Sequence, residues 1–210
     1  MKIVIDDKIP YIRGAFESLA EVVYLPGNKT THQHIKDADA IITRTRTKCN
    51  EDLLKGSTVK FIATATIGYD HIDTDFCAKE GIEWVNAKGC NAESVNQYIA
   101  SALFSWAVKN RIELKEKTIG IVGVGNVGSK VEKLCRAIGM KVLLNDPPRE
   151  RVEGAEKFVA LENIQKEADI ITFHVPLNRT GPDATYHLAD ENFLQNLGKN
   201  PLIINSCRGE

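Results

Sequence analysis

Short apolar runs alternate with polar or amphipathic stretches through the first half of the chain. Runs at 2–6, 22–25, 40–43, 60–64 and 83–86 have strand length, and the stretches at 11–19, 31–36, 51–54 and 74–79 carry helical spacing. Strand and helix in alternation predict parallel strands joined by crossover helices, an α/β fold. The longest predicted helix covers 91–109, with Val95, Ile99, Ala102, Leu103 and Trp106 on one stripe. Gly89 stops the segment before it, and Asn91 is placed to cap it. A second alternating series then begins, with strands at 118–122, 141–145, 169–174 and 202–206 and helices near 127–138, 161–166 and 190–197. The pattern predicts two lobes, 1–94 and 95–210, without an internal repeat at solenoid spacing.

The second lobe opens on the string TIGIVGVGNVG at 118–128, which places glycines at Gly123, Gly125 and Gly128. Glycine-rich turns are common, but here an apolar strand precedes the loop and an amphipathic helix follows it. The next strand ends at Asp146, 18 residues past Gly128 (146 − 128). Gly123 permits the tight turn, Gly125 keeps a side chain away from a pyrophosphate, and Gly128 lets the helix pack close on the sheet. The helix start, with Asn126 and Val127, offers unpaired N–H groups to phosphate. Asp146 is placed to accept ribose hydroxyls and repels a 2′-phosphate, which predicts NAD as cofactor over NADP, with Arg149 close enough to blur that preference.

Charge and composition change the picture mainly by exclusion. The 210 residues include 27 basic and 28 acidic side chains, for a net charge of −1, so there is no electrostatic case for a nucleic-acid or membrane-surface partner. MKIVIDDKIP at the N-terminus reads as a first strand, because a signal peptide needs a longer apolar stretch. The apolar stretch at 99–108 is too short to span a bilayer. A cytosolic protein is expected, with its scattered cysteines (Cys49, Cys77, Cys90, Cys135, Cys207) as small buried thiols. His32 and His34 lack a third ligand, so no metal is expected.

TIGYDHID at 66–73, GCN at 89–91 with Val95, the GVGNVG loop, HVPL at 174–177 and INSCRG at 204–209 together resemble the D-isomer-specific 2-hydroxyacid dehydrogenases along the whole chain. A narrower likeness, to members acting on a phosphorylated sugar acid, rests on GCN, on DPPR at 146–149, on TFH at 172–174, and on Gly181-Pro182 with HLAD at 187–190. The resemblance implies a Rossmann-type NAD domain inserted after a flavodoxin-like α/β substrate domain. It further implies NAD-dependent oxidation of a small phosphorylated hydroxy acid at C2, and a homodimer formed through the NAD lobes in the full-length protein.

That chemistry needs a cation for the carboxylate and the developing carbonyl, a base for the hydroxyl proton, and a carboxylate to orient the base. Arg208, at the end of a predicted parallel strand, fits the first role. The resemblance adds Thr45, Thr66, Ile67 and Gly68 as substrate contacts, and Asn126, Val127, Asp146, Val175, Pro176, Ser206, Cys207 and Arg208 as cofactor contacts. Arg44 and Arg46 read equally well as solvated surface or as partners of an anionic sugar acid. The family carries its glutamate and histidine downstream of the RG dipeptide, whereas this sequence stops at Glu210, and none of His32, His34, His71, His174 or His187 holds the matching position. A truncated form that cannot turn over at a normal rate is the resulting expectation. Two other readings stay open: a family member with a different hydroxy acid, and a non-catalytic NAD-binding interaction protein.

Overall fold

A computed structural model describes residues 1–209; Glu210 lies outside them. The chain divides into two compact units, Met1–Cys90 and Asn91–Glu210, a few residues ahead of the expected division.

The first unit is built on five parallel strands in the order β2-β1-β3-β4-β5. They are β1 (Lys2–Asp6), β2 (Glu21–Leu25), β3 (Ala40–Thr43), β4 (Phe61–Thr64) and β5 (Glu83–Asn86). Val4 lies beside Val23 on one flank and Ile41 on the other, and Ile41 in turn beside Ile62. Successive side chains of a strand face opposite ways. Val4, Ile41 and Ile62 therefore join one buried cluster with Ile35, Ile72 and Phe76, while Ile3 and Ile5 join a second with Ile9. Helices α1 (His32–Ile35), α2 (Glu51–Leu54) and α3 (Thr74–Glu80) connect the strands. The strand order is that of the flavodoxin-like fold. The helix expected over 11–19 does not form. Tyr11 and Gly14 both take left-handed backbone (φ 59° and 87°), which interrupts a right-handed helix twice in one turn. Glu17 holds the resulting turns instead, accepting from the N–H groups of Gly14 and Phe16 and from the Tyr24 hydroxyl.

In the second unit, α4 (Ala92–Asn110) buries Ile99, Leu103 and Ala107 and packs Val95, Ala102 and Trp106 against the same core. Asn91 stands at its N-cap but makes no side-chain capping bond, contrary to the sequence expectation. The four strands β6 (Thr118–Val122), β7 (Lys141–Asn145), β8 (Ile170–Phe173) and β9 (Leu202–Asn205) run parallel in the order β7-β6-β8-β9. Helices α5 (Gly128–Ile138), α6 (Pro147–Glu153), α7 (Leu161–Glu167) and α8 (Glu191–Gln195) connect them. The sequence pattern predicts no helix at α6, which opens on Pro147-Pro148. At the first helical positions proline loses no hydrogen bond, and Asp146 caps the helix by accepting from Arg149 N–H. From β6 the chain first adds β7 on one side and then returns to place β8 on the other. The loops after β6 and β8 therefore part, which is where ligands of open α/β sheets bind.

Cys49, Cys77 and Cys135 are buried as expected, and burial pushes the Cys49 and Cys135 thiols up to about 12. Cys90 is exposed and Cys207 half-buried, because both sit in loops rather than against a sheet. Among the described residues no helix is long and apolar enough to cross a membrane.

Candidate functional site

In the second unit the loop after β6 is shaped by what its three glycines lack. Gly123 has φ 87°, and a Cβ there would stand 2.8 Å from the His174 carbonyl and 2.9 Å from Val175 Cγ1. The ends of β6 and β8 are thus too close for any side chain between them. A Cβ on Gly128 would meet the Gly123 carbonyl oxygen at 2.0 Å, so α5 can approach the loop only as glycine. Gly125 differs: a Cβ there would have nothing within 4 Å. The protein itself places no demand on that position, and the bare backbone leaves room for a group of the ligand. Asn126 is exposed beside it, whereas the Val127 side chain packs into the core and leaves its peptide N–H at the helix start. Ser129 N–H is already bonded to the Gly125 carbonyl (3.0 Å), and the N–H groups ahead of it, at the very start of the helix, have no carbonyl one turn back. The donor set and the space fit a pyrophosphate.

Asp146, at the end of β7, lies beside this loop. One carboxylate oxygen accepts from Val124 N–H (2.8 Å) and the other from Arg149 N–H (3.1 Å). Each oxygen keeps lone-pair capacity for a ribose hydroxyl. The Val124 carbonyl is held in turn by the Ser129 hydroxyl (2.9 Å) and by Arg149 Nη1.

The ends of β8 and β9 are joined by His174. Ser206 Oγ donates to the Phe173 carbonyl (3.3 Å), so it accepts from His174 Nδ1–H (2.7 Å). Nε2 is then the acceptor for the Thr172 hydroxyl (3.0 Å). Burial lowers the imidazole pKa to about 4, in keeping with this neutral tautomer. Just beyond, Asn205 accepts from the N–H and Sγ of Cys207 (2.9 and 3.0 Å) and donates to the Arg208 carbonyl (2.7 Å). Arg208 is exposed at the carboxyl end of its strand, on a turn fixed by a side chain that sequence reasoning passed over. Val175 lies against the glycine loop, and the Pro176 carbonyl accepts from the Thr185 hydroxyl.

The first unit carries the remaining expected residues. Thr45 is exposed after β3 and lines a hollow of about 480 Å³ with Lys48, Asn50, Asp70 and His71. Arg44 turns away to donate to the Lys8 carbonyl (2.9 Å), whereas Arg46 is exposed. After β4, every carbonyl of 66–68 is tied down: Thr66 by Ala87 N–H (3.1 Å), Ile67 by Asn86 Nδ2 (2.6 Å), and Gly68 by the Thr66 hydroxyl (2.9 Å). Thr64 Oγ1 lies 2.7 Å from Thr66 Oγ1 and 3.1 Å from His71 Nε2. The hydroxyl of Thr66, one of the expected substrate contacts, donates within its own loop to the Gly68 carbonyl. Asn86 is the residue missed here. Nothing in local sequence marks it, because its partner is 19 positions away. His32 and His34 are bonded to Leu53 O and to Thr31, and among the described residues no group of side chains could hold a metal.

Residues 91–210 match the family described as D-isomer specific 2-hydroxyacid dehydrogenase, NAD binding domain. Across its whole length the chain is 59% identical to an erythronate-4-phosphate dehydrogenase of Bacteroides thetaiotaomicron, and it spans 61% of that relative. An enzyme of the same name from Hydrogenovibrio crunogenus is 44% identical over 99% of the chain and 55% of its own length. Among solved structures, D-lactate dehydrogenase from Aquifex aeolicus, complexed with NAD and lactic acid, superposes with a TM-score of 0.81 at 28% identity, covering all of this chain and 69% of that one. NAD-bound 3-phosphoglycerate dehydrogenase of Entamoeba histolytica gives 0.79 at 30% identity, covering all of this chain and 72% of that one. The chain belongs to the D-isomer specific 2-hydroxyacid dehydrogenases, and its second unit is their NAD-binding domain.

Proposed function

We propose that the protein oxidises 4-phospho-D-erythronate at C2 with NAD, as a cytosolic step in pyridoxal 5′-phosphate biosynthesis. One observation carries the reading: of the three loop glycines, Gly125 alone opens on empty space, in a loop whose Val124 N–H the Asp146 carboxylate holds. In that cradle Gly125, Asn126 and Val127 bind the pyrophosphate and Asp146 takes the ribose hydroxyls, with Val175 and Pro176 beside the loop. NAD, when bound, supplies the hydride acceptor.

The first unit acts as the substrate domain. With the carbonyls of 66–68 tied inward, the N–H groups of Ile67 and Gly68 serve the substrate carboxylate, and Thr45 takes a hydroxyl. Arg208 holds the carboxylate and the oxygen on C2, where negative charge develops. Ser206 and Cys207 set the turn that carries it. His174 is unsuited to be the proton acceptor, since both ring nitrogens are engaged and its pKa lies about 4. His32 and His34 are bonded through Nδ1 and His71 through Nε2, and His187 stacks on Tyr186. None of the five histidines is assigned the role of proton acceptor, and slow turnover by these 210 residues is expected. A homodimer through the second unit fits the exposed Tyr98, Phe104 and Val108 of α4.

The test is calorimetric. With NAD present, 4-phospho-D-erythronate should bind more tightly than 3-phosphoglycerate, and a Thr45→Ala, Thr66→Ala pair should weaken it while leaving NAD alone. Preference for 3-phosphoglycerate would assign a different hydroxy acid. Turnover at a normal rate would refute the account of the histidines.

A further inference from the structure

An arginine near the ribose-binding acidic residue is the group that accommodates the 2′-phosphate of NADP, and Arg149 is such a neighbour of Asp146. It lies three positions past the ribose-binding Asp146 and reaches across to the glycine loop, donating from Nη1 to the Val124 carbonyl. Its remaining paired edge is occupied: Nε and Nη2 donate to the two carboxylate oxygens of Glu153, at 2.6 and 2.8 Å, one helical turn along α6. Such a fork is the geometry with which arginine grips a phosphate. Here it is filled from within the protein. The guanidinium also lies over the Phe158 ring, 5.6 Å from its centre, which restricts how it can swing to meet a ligand. Both partners of the pair are about one-third exposed, so the pair stands at the mouth of the cradle rather than in the core.

We propose that Glu153 is a specificity-determining residue, which keeps Arg149 from serving a 2′-phosphate and so makes the cradle choose NAD over NADP. The inference rests on the reading of the second unit as an NAD cradle. Charge supports it: Asp146, Arg149 and Glu153 sum to −1, against a phosphate that is itself dianionic or nearly so. Replacing Glu153 by glutamine removes that net charge and releases the arginine fork. Asp146 alone then opposes the phosphate. The adenosine hydroxyls of NAD need only Asp146, so its binding is indifferent to the change.

Calorimetric titration of the full chain with NAD and with NADP tests this in Glu153→Gln, Arg149→Gln and the double variant. Glu153→Gln should strengthen NADP binding by about tenfold, the gain expected from one freed charge-assisted pair, while NAD binding stays within about twofold. The double variant should lose the gain, because Arg149 is its source. An unchanged NADP affinity in Glu153→Gln, or a gain that survives in the double variant, would overturn the inference while leaving NAD binding by the unsubstituted chain intact. If the unsubstituted chain and Glu153→Gln bind neither dinucleotide, the cradle itself fails and the inference with it.

Discussion

The two units present a tight loop at the carboxyl end of a parallel sheet, but they hold it by opposite means. In the second unit the loop after β6 is set by absent side chains: Gly123 and Gly128 let backbone meet backbone where a Cβ would stand 2.8 and 2.0 Å from a carbonyl atom. In the first unit the loop at 66–68 is set by polar side chains, with Asn86 and Thr66 fastening its carbonyls. A loop held by sterics tolerates no addition. A loop held by hydrogen bonds fails by subtraction, and more gently. Their histidines are both half-buried: His174 is held at both ring nitrogens between Thr172 and Ser206, and His71 lies with Nε2 3.1 Å from Thr64 Oγ1 at the edge of a hollow.

The sharpest way to break this comparison is Gly128→Ala. Backbone cannot yield as a flexible side chain can, so the substitution should destabilise the second unit by about 3 kcal/mol and abolish NAD binding. Denaturant unfolding measures the first effect and calorimetry the second. A loss below about 1 kcal/mol would show that α5 is not pinned by this contact.

Next comes pH. The folded His174 pKa of about 4 lies below the ordinary histidine value of 6.5, so the native state binds fewer protons than the unfolded chain between those limits. Stability from this site is complete above pH 6.5 and is lost as pH falls to about 4. A difference of about 2.5 units corresponds to about 3 kcal/mol at most. His174→Gln should flatten that part of the stability–pH curve. An unchanged slope in the variant would place the titration elsewhere.

In the first unit, Asn86→Ala should cost about 1 kcal/mol, the net worth of one hydrogen bond, and weaken substrate without touching NAD. An effect as large as that of Gly128→Ala would erase the distinction between the two loops.

This distinction also explains what could be read before the fold was known. Gly123 and Gly128 were legible because a steric solution leaves a fixed spacing along the chain, and Gly125 and Asp146 because they fall at set offsets from those two. Parallel α/β architecture followed from strand and helix periodicity for the same reason. Asn86 and the reach of Arg149 to Val124 were not, since each depends on a residue that only the fold brings near, and the turn bonds of Asn205 to Cys207 and Arg208 leave no mark in the periodicity. The helix misplaced at 11–19 and the missed α6 share a cause. Backbone preferences of Gly14 and of Pro147-Pro148 depend on where in a turn each residue falls, which periodicity does not report.

Gly125 is the position on which the functional account depends, because there the comparison predicts a change in binding with none in stability. Titrating NAD into the unsubstituted chain and into Gly125→Val by calorimetry tests it directly. The account predicts saturable binding of NAD by the first and at least about a tenfold loss in the second, with identical unfolding curves. Equal NAD affinity in the two proteins would contradict it.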